Sequence, residues 1–576
     1  MVILGIFILS LGIKIAILAL AGEPIIFNKY PYFAERLLHG DNIGERLLDL
    51  SPFYLYAAAL FLKIFGPNWD LLMFFQILLG ALNNLLLYAI ASRLFGTATG
   101  VIASILLVFY GNITLIELTL EPETLLIFFN SLTVWTLLKA ADDSSCSITR
   151  VRWWLMAGIM IGLSAITKAV SFLILPGAVV WIGLTVSAWR NRWKAGALLL
   201  LGTILVVSPV TIRNYLQFND FVLTTADGGK VFFHGNGPGA TGMERADLPD
   251  QGFIEEGHKD PDYAHALFRE TARRQGGANL RPSECSGYWF ARTTKYMQEN
   301  PWEAVGLALK KFCLFWNNYE VHDLDTTYRD YLLIKSWPFL TFGTLAALGL
   351  LGMGMSLGRF RQAFLGCWMV LIQFFSVVVF FAASRYRLPA APFLSMFAAC
   401  FLMDVFCRIR QEQTVKYVGA LALFLVLLVG TYMPYNQEIE KFDRWQQAAR
   451  IHYSLGGRLM FKRGEYRKAL KELGKVVAVD PGFAPAYNYM GKSHAVLGNF
   501  DLAQNCFTKV ISLSPGIDEG YLNIGLLLEL KGEWPRALPY FEKALSLNPN
   551  NPKAKNHLAK WKEKRTKLLF EEGNVK

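Results

Sequence analysis

Residues 1–435 alternate between apolar runs of roughly 20 residues and short polar loops, and a run of that length matches the hydrocarbon thickness of a bilayer. About eleven such runs can be drawn, near 1–20, 70–92, 98–116, 122–139, 153–168, 171–189, 195–212, 337–358, 362–383, 388–407 and 417–435. Within lipid a segment must satisfy its own backbone hydrogen bonds, so each run is expected to be a helix. The implied fold class is an all-α polytopic membrane protein with about eleven transmembrane helices. Composition agrees, because a chain that is 53% hydrophobic and only 18% charged is too apolar for a soluble protein of this size.

Loop charge orients the runs. The loops holding Lys139, Arg150 and Arg152, then Arg190, Arg192 and Lys194, then Arg359 and Arg361, then Arg408, Arg410 and Lys416 all fall on one side. Loops rich in Lys and Arg stay in the cytoplasm. The expected location is therefore the cytoplasmic (inner) membrane, multi-pass, with residues 21–69, 213–336 and everything beyond 435 on the periplasmic or extracellular side. The net charge of +12 fits such loops and contact with anionic membrane lipid better than nucleic acid, which is not an expected partner. Ala19-Leu20-Ala21 resembles a signal-peptidase site, but no basic segment precedes the run and many spans follow. The first run is therefore expected to remain as a helix, with Lys14 snorkelling or facing the bundle. Ser51–Gly66 is apolar but short, which suggests a re-entrant or interfacial helix. Cys285 and Cys313 share one external loop, where a disulfide is conceivable although free thiols are the expectation.

The tail repeats. Gly464, Gly498 and Gly532 recur at a fixed interval, as do Ala469, Ala503 and Ala537, and Pro481, Pro515 and Pro549. That interval of about 34 residues marks tetratricopeptide repeats, in which a small Ala lets paired helices approach and Gly ends the first helix. Ala554, His557, Leu558 and Trp561 suit a helix covering the end of the α-solenoid. A concave groove for a protein or peptide follows. The expected domains are 1–212, an N-terminal transmembrane module with its first outward loop 21–69; 213–336, an extracytoplasmic mixed loop domain; 337–440, the C-terminal transmembrane helices; and 441–576, the repeats.

Between the third and fourth runs stands L-I-E-L-T-L-E-P-E, from Leu115 to Glu123. A charge at the bilayer centre costs about 2.5–3.5 kcal/mol, so Glu117, Glu121 and Glu123 belong at a boundary or in a wet cavity. Arg213, Arg385, Arg387 and Lys168 all lie at expected outer ends of runs. Arginine forks match phosphate oxygens, and a lysine adds a point charge, so these residues suit a lipid-linked phosphate held at the membrane surface. Helix anchoring at headgroups is the plain alternative. No HExxH spacing and no CxxC pair occurs, which argues against a zinc hydrolase or a thioredoxin-like site.

Several further stretches surround these charges. They are N-K-Y-P-Y-F-A-E-R-L-L-H-G-D from Asn28 to Asp41, Ser51-Pro52-Phe53-Tyr54-Leu55-Tyr56, Ser208 to Tyr215, Asp227 to Gly242 with its Gly235-Asn236-Gly237 turn, Phe315 to Glu320, and Ser384-Arg385-Tyr386-Arg387-Leu388-Pro389. In order and placement they resemble the C-type membrane glycosyltransferases, in particular the bacterial branch of the protein O-mannosyltransferase and aminoarabinose transferase family. The resemblance covers about residues 1–410 and implies the C-type fold. It implies a glycosyltransferase that moves a sugar from a polyprenyl-phosphate-linked donor to an extracytoplasmic acceptor (protein, lipid or polysaccharide), with inversion and often with a divalent metal, Mg or Mn. The repeats would recruit the acceptor or a partner.

By that resemblance Glu117 matches the family's second acidic position. Glu121, one helical turn on, would join it in catalysis or, tentatively, in holding the metal. Arg213, Asn214, Arg385, Arg387, Lys168, Tyr54, Asn236 and Glu320 would bind substrate. The family's usual base in the first outward loop is missing, because its positions hold Asn28 and Lys29. Glu23, Asp41 and Asp49 are the remaining acids there that could take the role. The departure keeps a second reading open, a non-catalytic membrane scaffold for envelope polysaccharide assembly built on a degenerate glycosyltransferase fold. A transporter is disfavoured, since no inverted repeat is visible.

Overall fold

The computed structural model describes residues 2–21, 29–142, 147–243, 263–321, 339–409, 415–433, 452–453, 457, 459–548, 551 and 553–561. Among these residues the chain is helical, and the one β-contact is an isolated bridge between Met243 and Ala382. Two compact units are formed, residues 1–247 with 265–435, and residues 248–264 with 436–576.

In the first unit every expected apolar run folds as helix. The order is α1 (Val2–Ala21), α2 (Lys29–Leu38), α3 (Pro52–Phe65), α4 (Trp69–Phe95), α5 (Thr97–Val108), α6 (Gly111–Glu117), α7 (Glu123–Ala140), α8 (Ser147–Thr167), α9 (Ile174–Thr185) and α10 (Trp189–Phe218). The long connection after α10 contributes α11 (Gly228–Asn236), α12 (Tyr263–Gly276), α13 (Pro282–Glu299) and α14 (Pro301–Trp316). Then come α15 (Phe342–Ser356), α16 (Phe360–Val379), α17 (Ser384–Arg387), α18 (Ala391–Ile409) and α19 (Val415–Tyr432). The secondary structure in the described part of the connection after α10 is helical, apart from the isolated bridge at Met243.

Among the described residues five stretches are long and apolar enough to cross a bilayer: Val2–Ala19, Trp69–Phe95, Trp189–Phe218, Phe342–Val379 and Ser384–Cys407. A sixth arises if α5 and α6 are taken together, although they bend by 62° at their junction. Among the described residues α7 and α8 do not meet that test, and Ala169–Thr185, which includes α9, and the Gly419–Tyr432 part of α19 are shorter apolar helices. The break after α5 is capped from outside, where the Leu340 N–H donates to the Phe109 carbonyl at 2.7 Å. Glycine permits the closest helix contacts. A Cβ on Gly158 would stand 2.3 Å from the Leu199 carbonyl oxygen, and one on Gly202 would stand 2.5 Å from that of Leu155. Helices α8 and α10 thus pack backbone to backbone, as small residues allow in membranes.

The described part of the segment between α1 and α4 is a small module of its own. Tyr30, Phe33 and Ala34 of α2 pack on Tyr54, Leu55, Ala58 and Leu62 of α3, with Leu47 and Leu50 between them. The Ser51 side chain accepts from the Tyr54 N–H and Pro52 opens the helix, a start that needs no amide at that position. At 14 residues α3 is too short to span, and Leu60, Ile64 and Phe65 on it are exposed, as the interfacial reading requires. Cys285 and Cys313 are free thiols, the first buried and the second exposed.

The second unit holds α20 (Leu459–Lys462), α21 (Tyr466–Val479), α22 (Ala484–Val496), α23 (Phe500–Leu513), α24 (Asp518–Leu530) and α25 (Trp534–Leu547). Gly464, Gly498 and Gly532 each have φ 78°, the left-handed turn that ends one helix and starts the next. Ala469, Ala503 and Ala537 are buried at the helix crossings. The expected end cap is present, since residues 553–561 are helical, Ala554 is buried, and His557 stacks on Phe541 with ring centroids 5.6 Å apart.

Candidate active site at the Glu121 turn

The turn between α6 and α7 carries the acids, and three neighbours fix it. From α1, Lys14 reaches Glu117 with its Nζ 2.6 Å from Oε1 and 2.5 Å from Oε2, and both side chains are buried. Gly80 on α4 makes room, since a Cβ there would sit 2.0 Å from Glu117 Oε1. Also on α4, Gln76 donates to the Glu117 carbonyl at 2.9 Å and to the Thr119 carbonyl at 2.6 Å. The Gln76 side-chain oxygen accepts from the Tyr54 hydroxyl at 2.7 Å, and the Tyr30 hydroxyl accepts from the Ser51 N–H at 3.0 Å. Tyr30 and Tyr54 meet edge to face at 4.9 Å. The α2–α3 module is thus wired to the acid turn through one buried amide.

Beyond Glu117 the turn meets cations from two other elements. Glu121 lies 3.7 Å from the Arg385 guanidinium of α17. Glu123 accepts from Lys168 Nζ at 2.9 Å, at the end of α8. Lys168 also stands 3.9 Å from the centre of the Tyr386 ring, and Arg385 donates to the Tyr386 hydroxyl at 3.3 Å. Glu121, Glu123, Lys168, Arg385 and Tyr386 therefore form one cluster, with Tyr30 and Tyr54 close by. Burial first, and then the Glu121 carboxylate, push the Tyr54 phenol well above its usual range. Burial likewise raises Tyr30, opposed by Lys29 and reinforced by Glu121. Both phenols are neutral donors or acceptors at physiological pH.

The other expected residues have different surroundings. Arg387 is buried and pinned, donating to the carbonyls of Asn317 at 2.7 Å and Tyr319 at 2.9 Å and pairing with Glu320 at 2.6 Å. Tyr110 donates to Glu320 at 3.3 Å. Asn236 donates to the Phe232 and Val379 carbonyls and accepts from Lys311, itself buried and bonded to the Phe380 carbonyl at 2.8 Å. Asn214 is buried and bonds the Val222 and Thr224 carbonyls. Arg213 donates to the Tyr56 hydroxyl at 2.8 Å near the surface. Asp41 pairs with Arg36 at 3.1 Å, both partly exposed. Asp49 is buried against Arg269 and Arg46. Glu23 lies outside the described residues.

The metal expectation does not fit this arrangement. Both oxygens of Glu117 face the Lys14 ammonium, and Glu121 faces a guanidinium. Among the described residues no three His, Cys, Asp or Glu side chains converge. Sequence reasoning passed over Gln76, Tyr30 and Tyr386, and also Asp227. That carboxyl is pushed up by burial, opposed by Lys230, reinforced by Asp49 and opposed by Lys29. For Tyr30, Tyr386 and Asp227 the one signal available was that each falls inside a stretch already carrying the resemblance; Gln76 falls in none of them.

Fold and site together define a helical membrane protein with an acid and cation cluster at its helix ends. Residues 49–212, which hold the whole acid turn and Lys168, match the dolichyl-phosphate-mannose-protein mannosyltransferase family. Residues 484–517 and 519–551 each match a tetratricopeptide repeat. The chain thus joins a segment that matches a mannosyltransferase family model to a tail that matches tetratricopeptide repeats. No curated protein sequence matches it.

Among solved structures it is similar to the Archaeoglobus fulgidus oligosaccharyltransferase tethered to an acceptor peptide, with 14% identity and a TM-score of 0.43 over 77% of this chain. This chain spans 55% of that protein's length. It is similar to ArnT from Cupriavidus metallidurans bound to undecaprenyl phosphate, with 15% identity and a TM-score of 0.41 over 90% of this chain and 80% of that one. MamA is 29% identical over 23% of this chain and 80% of its own, with a TM-score of 0.17.

Proposed function

We propose that the protein is an inverting glycosyltransferase that moves a sugar from a polyprenyl-phosphate-linked donor to an acceptor on the outer side of the cytoplasmic membrane. The observation that carries this reading is the cluster of Glu121 and Glu123 with Arg385 and Lys168, on a turn inside the segment that matches the mannosyltransferase family. Arg385 and Lys168 would grip the donor phosphate, and Tyr386 lines the same place. The acceptor hydroxyl attacks the anomeric carbon as the bond from that carbon to the phosphate oxygen breaks. Glu121 takes the acceptor proton, and the charge left on the lipid phosphate is met by the two cations. The module 21–69 would present the acceptor, and residues 441–576 would recruit an acceptor protein or a partner.

The scaffold reading keeps one observation in its favour. Of the first-loop acids that could serve as base, the two described ones are held in ion pairs, Asp41 with Arg36 and Asp49 with Arg269. Mass spectrometry of envelope glycans and glycoproteins from a deletion strain separates the two. A lost sugar that returns with the wild-type gene but not with Glu121→Gln supports transfer. A sugar restored equally by both supports the scaffold.

A further inference from the structure

Helix α14 belongs to the external loop, yet its outer face is apolar and open. Trp302 is 86% exposed, Val305 51%, Leu309 61% and Phe312 48%. Their spacing of three, four and three residues places them on one side of a helix. Cys313, also exposed, follows Phe312 on the chain. The opposite side is anchored, since Lys311, Leu314 and Phe315 are buried. A row of large apolar side chains on a water-facing helix is a liability unless something covers it.

What covers it is indicated by the neighbour. Phe312 and Phe315 pack against Phe374 of α16 with ring centroids 5.3 and 5.4 Å apart, and Trp316 stacks on the same ring at 5.9 Å. Helix α16 lies within a stretch apolar enough to cross the membrane, and next to Phe374 its own Phe375 and Val379 are about half exposed. Lys311 fastens α14 to the last turn of that helix through the Phe380 carbonyl. The open face of α14 therefore continues the lipid-facing surface at the end of α16, where aromatic side chains favour the headgroup boundary.

We propose that α14 is seated in the outer leaflet of the bilayer, with Trp302, Val305, Leu309 and Phe312 among the acyl chains, and that it sets the depth of the phosphate-binding segment. Its C-terminal end is gripped by Arg387, which donates to the carbonyls of Leu314, Phe315 and Asn317. Arg387 stands two residues from Arg385. The lipid-seated helix thus fixes Arg385 at the level where a lipid-borne phosphate emerges. The seating at a membrane surface stands on α14 and α16 alone; the choice of the outer leaflet and the consequence for donor binding rest on the function proposed above.

The test uses the full chain in lipid nanodiscs, with the native Cys313 read by peptide mass spectrometry. A sulfonated maleimide is expected to modify Cys313 at least about tenfold more slowly than a small neutral maleimide, and a lipid with a photoreactive acyl chain should label the peptide 301–316. Rapid sulfonated labelling would show the face in water and overturn the proposal. Resistance to both maleimides without lipid crosslinks would show a protein covering it, and would overturn it equally. Leu309→Glu should speed sulfonated labelling of Cys313 and weaken undecaprenyl phosphate binding. Faster labelling with unchanged binding would keep the seating and sink its link to Arg385.

Discussion

Replacing Lys14 by Met leaves the Glu117 carboxylate buried with no ammonium to answer it. The pair is 2.5 Å apart, with 1% and 5% of the two side chains exposed, so neither charge can turn to water. Breaking such a pair from one side costs about 3–5 kcal/mol, whereas replacing both partners by neutral groups of similar size is close to neutral or even stabilising. Lys14→Met and Glu117→Gln should therefore each lower the apparent unfolding temperature strongly, and the double variant should recover most of the loss. The coupling should then be at least as large as one single-variant loss, about 3–5 kcal/mol, because a nearly neutral double variant cancels the sum of two such losses. Tryptophan fluorescence melts of purified protein in detergent would measure it. Because Gln76 holds the turn independently, the double variant should also keep sugar transfer. Additive losses would refute the pairing. A stable double variant with no transfer would return Glu117 to the chemistry, which is where its place in the sequence first put it.

Further outcomes are expected. Gln76→Leu removes the two bonds to the turn and the one from Tyr54, and should lower kcat at least about tenfold while the donor KM changes less. Tyr54→Phe, which keeps the turn bonds, should have a smaller effect, and equal losses in both variants would argue against the latch. Burial pushes the Lys311 ammonium down to about 7. The unfolded chain therefore binds a proton the folded chain has released, from that pH up to its ordinary value of roughly 10.4, and stability should rise with pH across this window. Melts should show that rise, and Lys311→Met should flatten it; a parallel slope in the variant would disprove the origin. Removing residues 445–576 should spare undecaprenyl phosphate binding and reduce modification of the native acceptor, and unchanged modification would exclude recruitment by the repeats.

How much of this could be read beforehand differs from element to element. Hydropathy located the helices because lipid leaves a chain no other way to satisfy its backbone. The repeats were legible because Gly, Ala and Pro recur at a fixed period. The cluster was legible only as an inventory. Arg385 and Arg387 look alike in sequence, but one turns to Glu121 and the other is consumed by carbonyls at the end of α14. That division depends on contacts between residues far apart in the chain, which no local pattern encodes. Lys14 was expected to snorkel or face inward, and it faces inward. Its partner could not be named, because helix pairing decides which acid it meets. The lipid-facing row on α14 was present in the sequence at helical spacing and was overlooked because the loop around it reads as polar.

The central claim is that a lipid phosphate binds where Arg385 and Lys168 meet Glu121 and Glu123. The most direct measurement is the affinity of undecaprenyl phosphate for the full chain carrying Arg385→Gln, compared with wild type at the same ionic strength. A hydrogen bond to a charged group contributes about 1.5–3 kcal/mol, so the variant should bind roughly ten- to a hundredfold more weakly. Unchanged affinity in a folded variant would place the phosphate elsewhere and contradict the account.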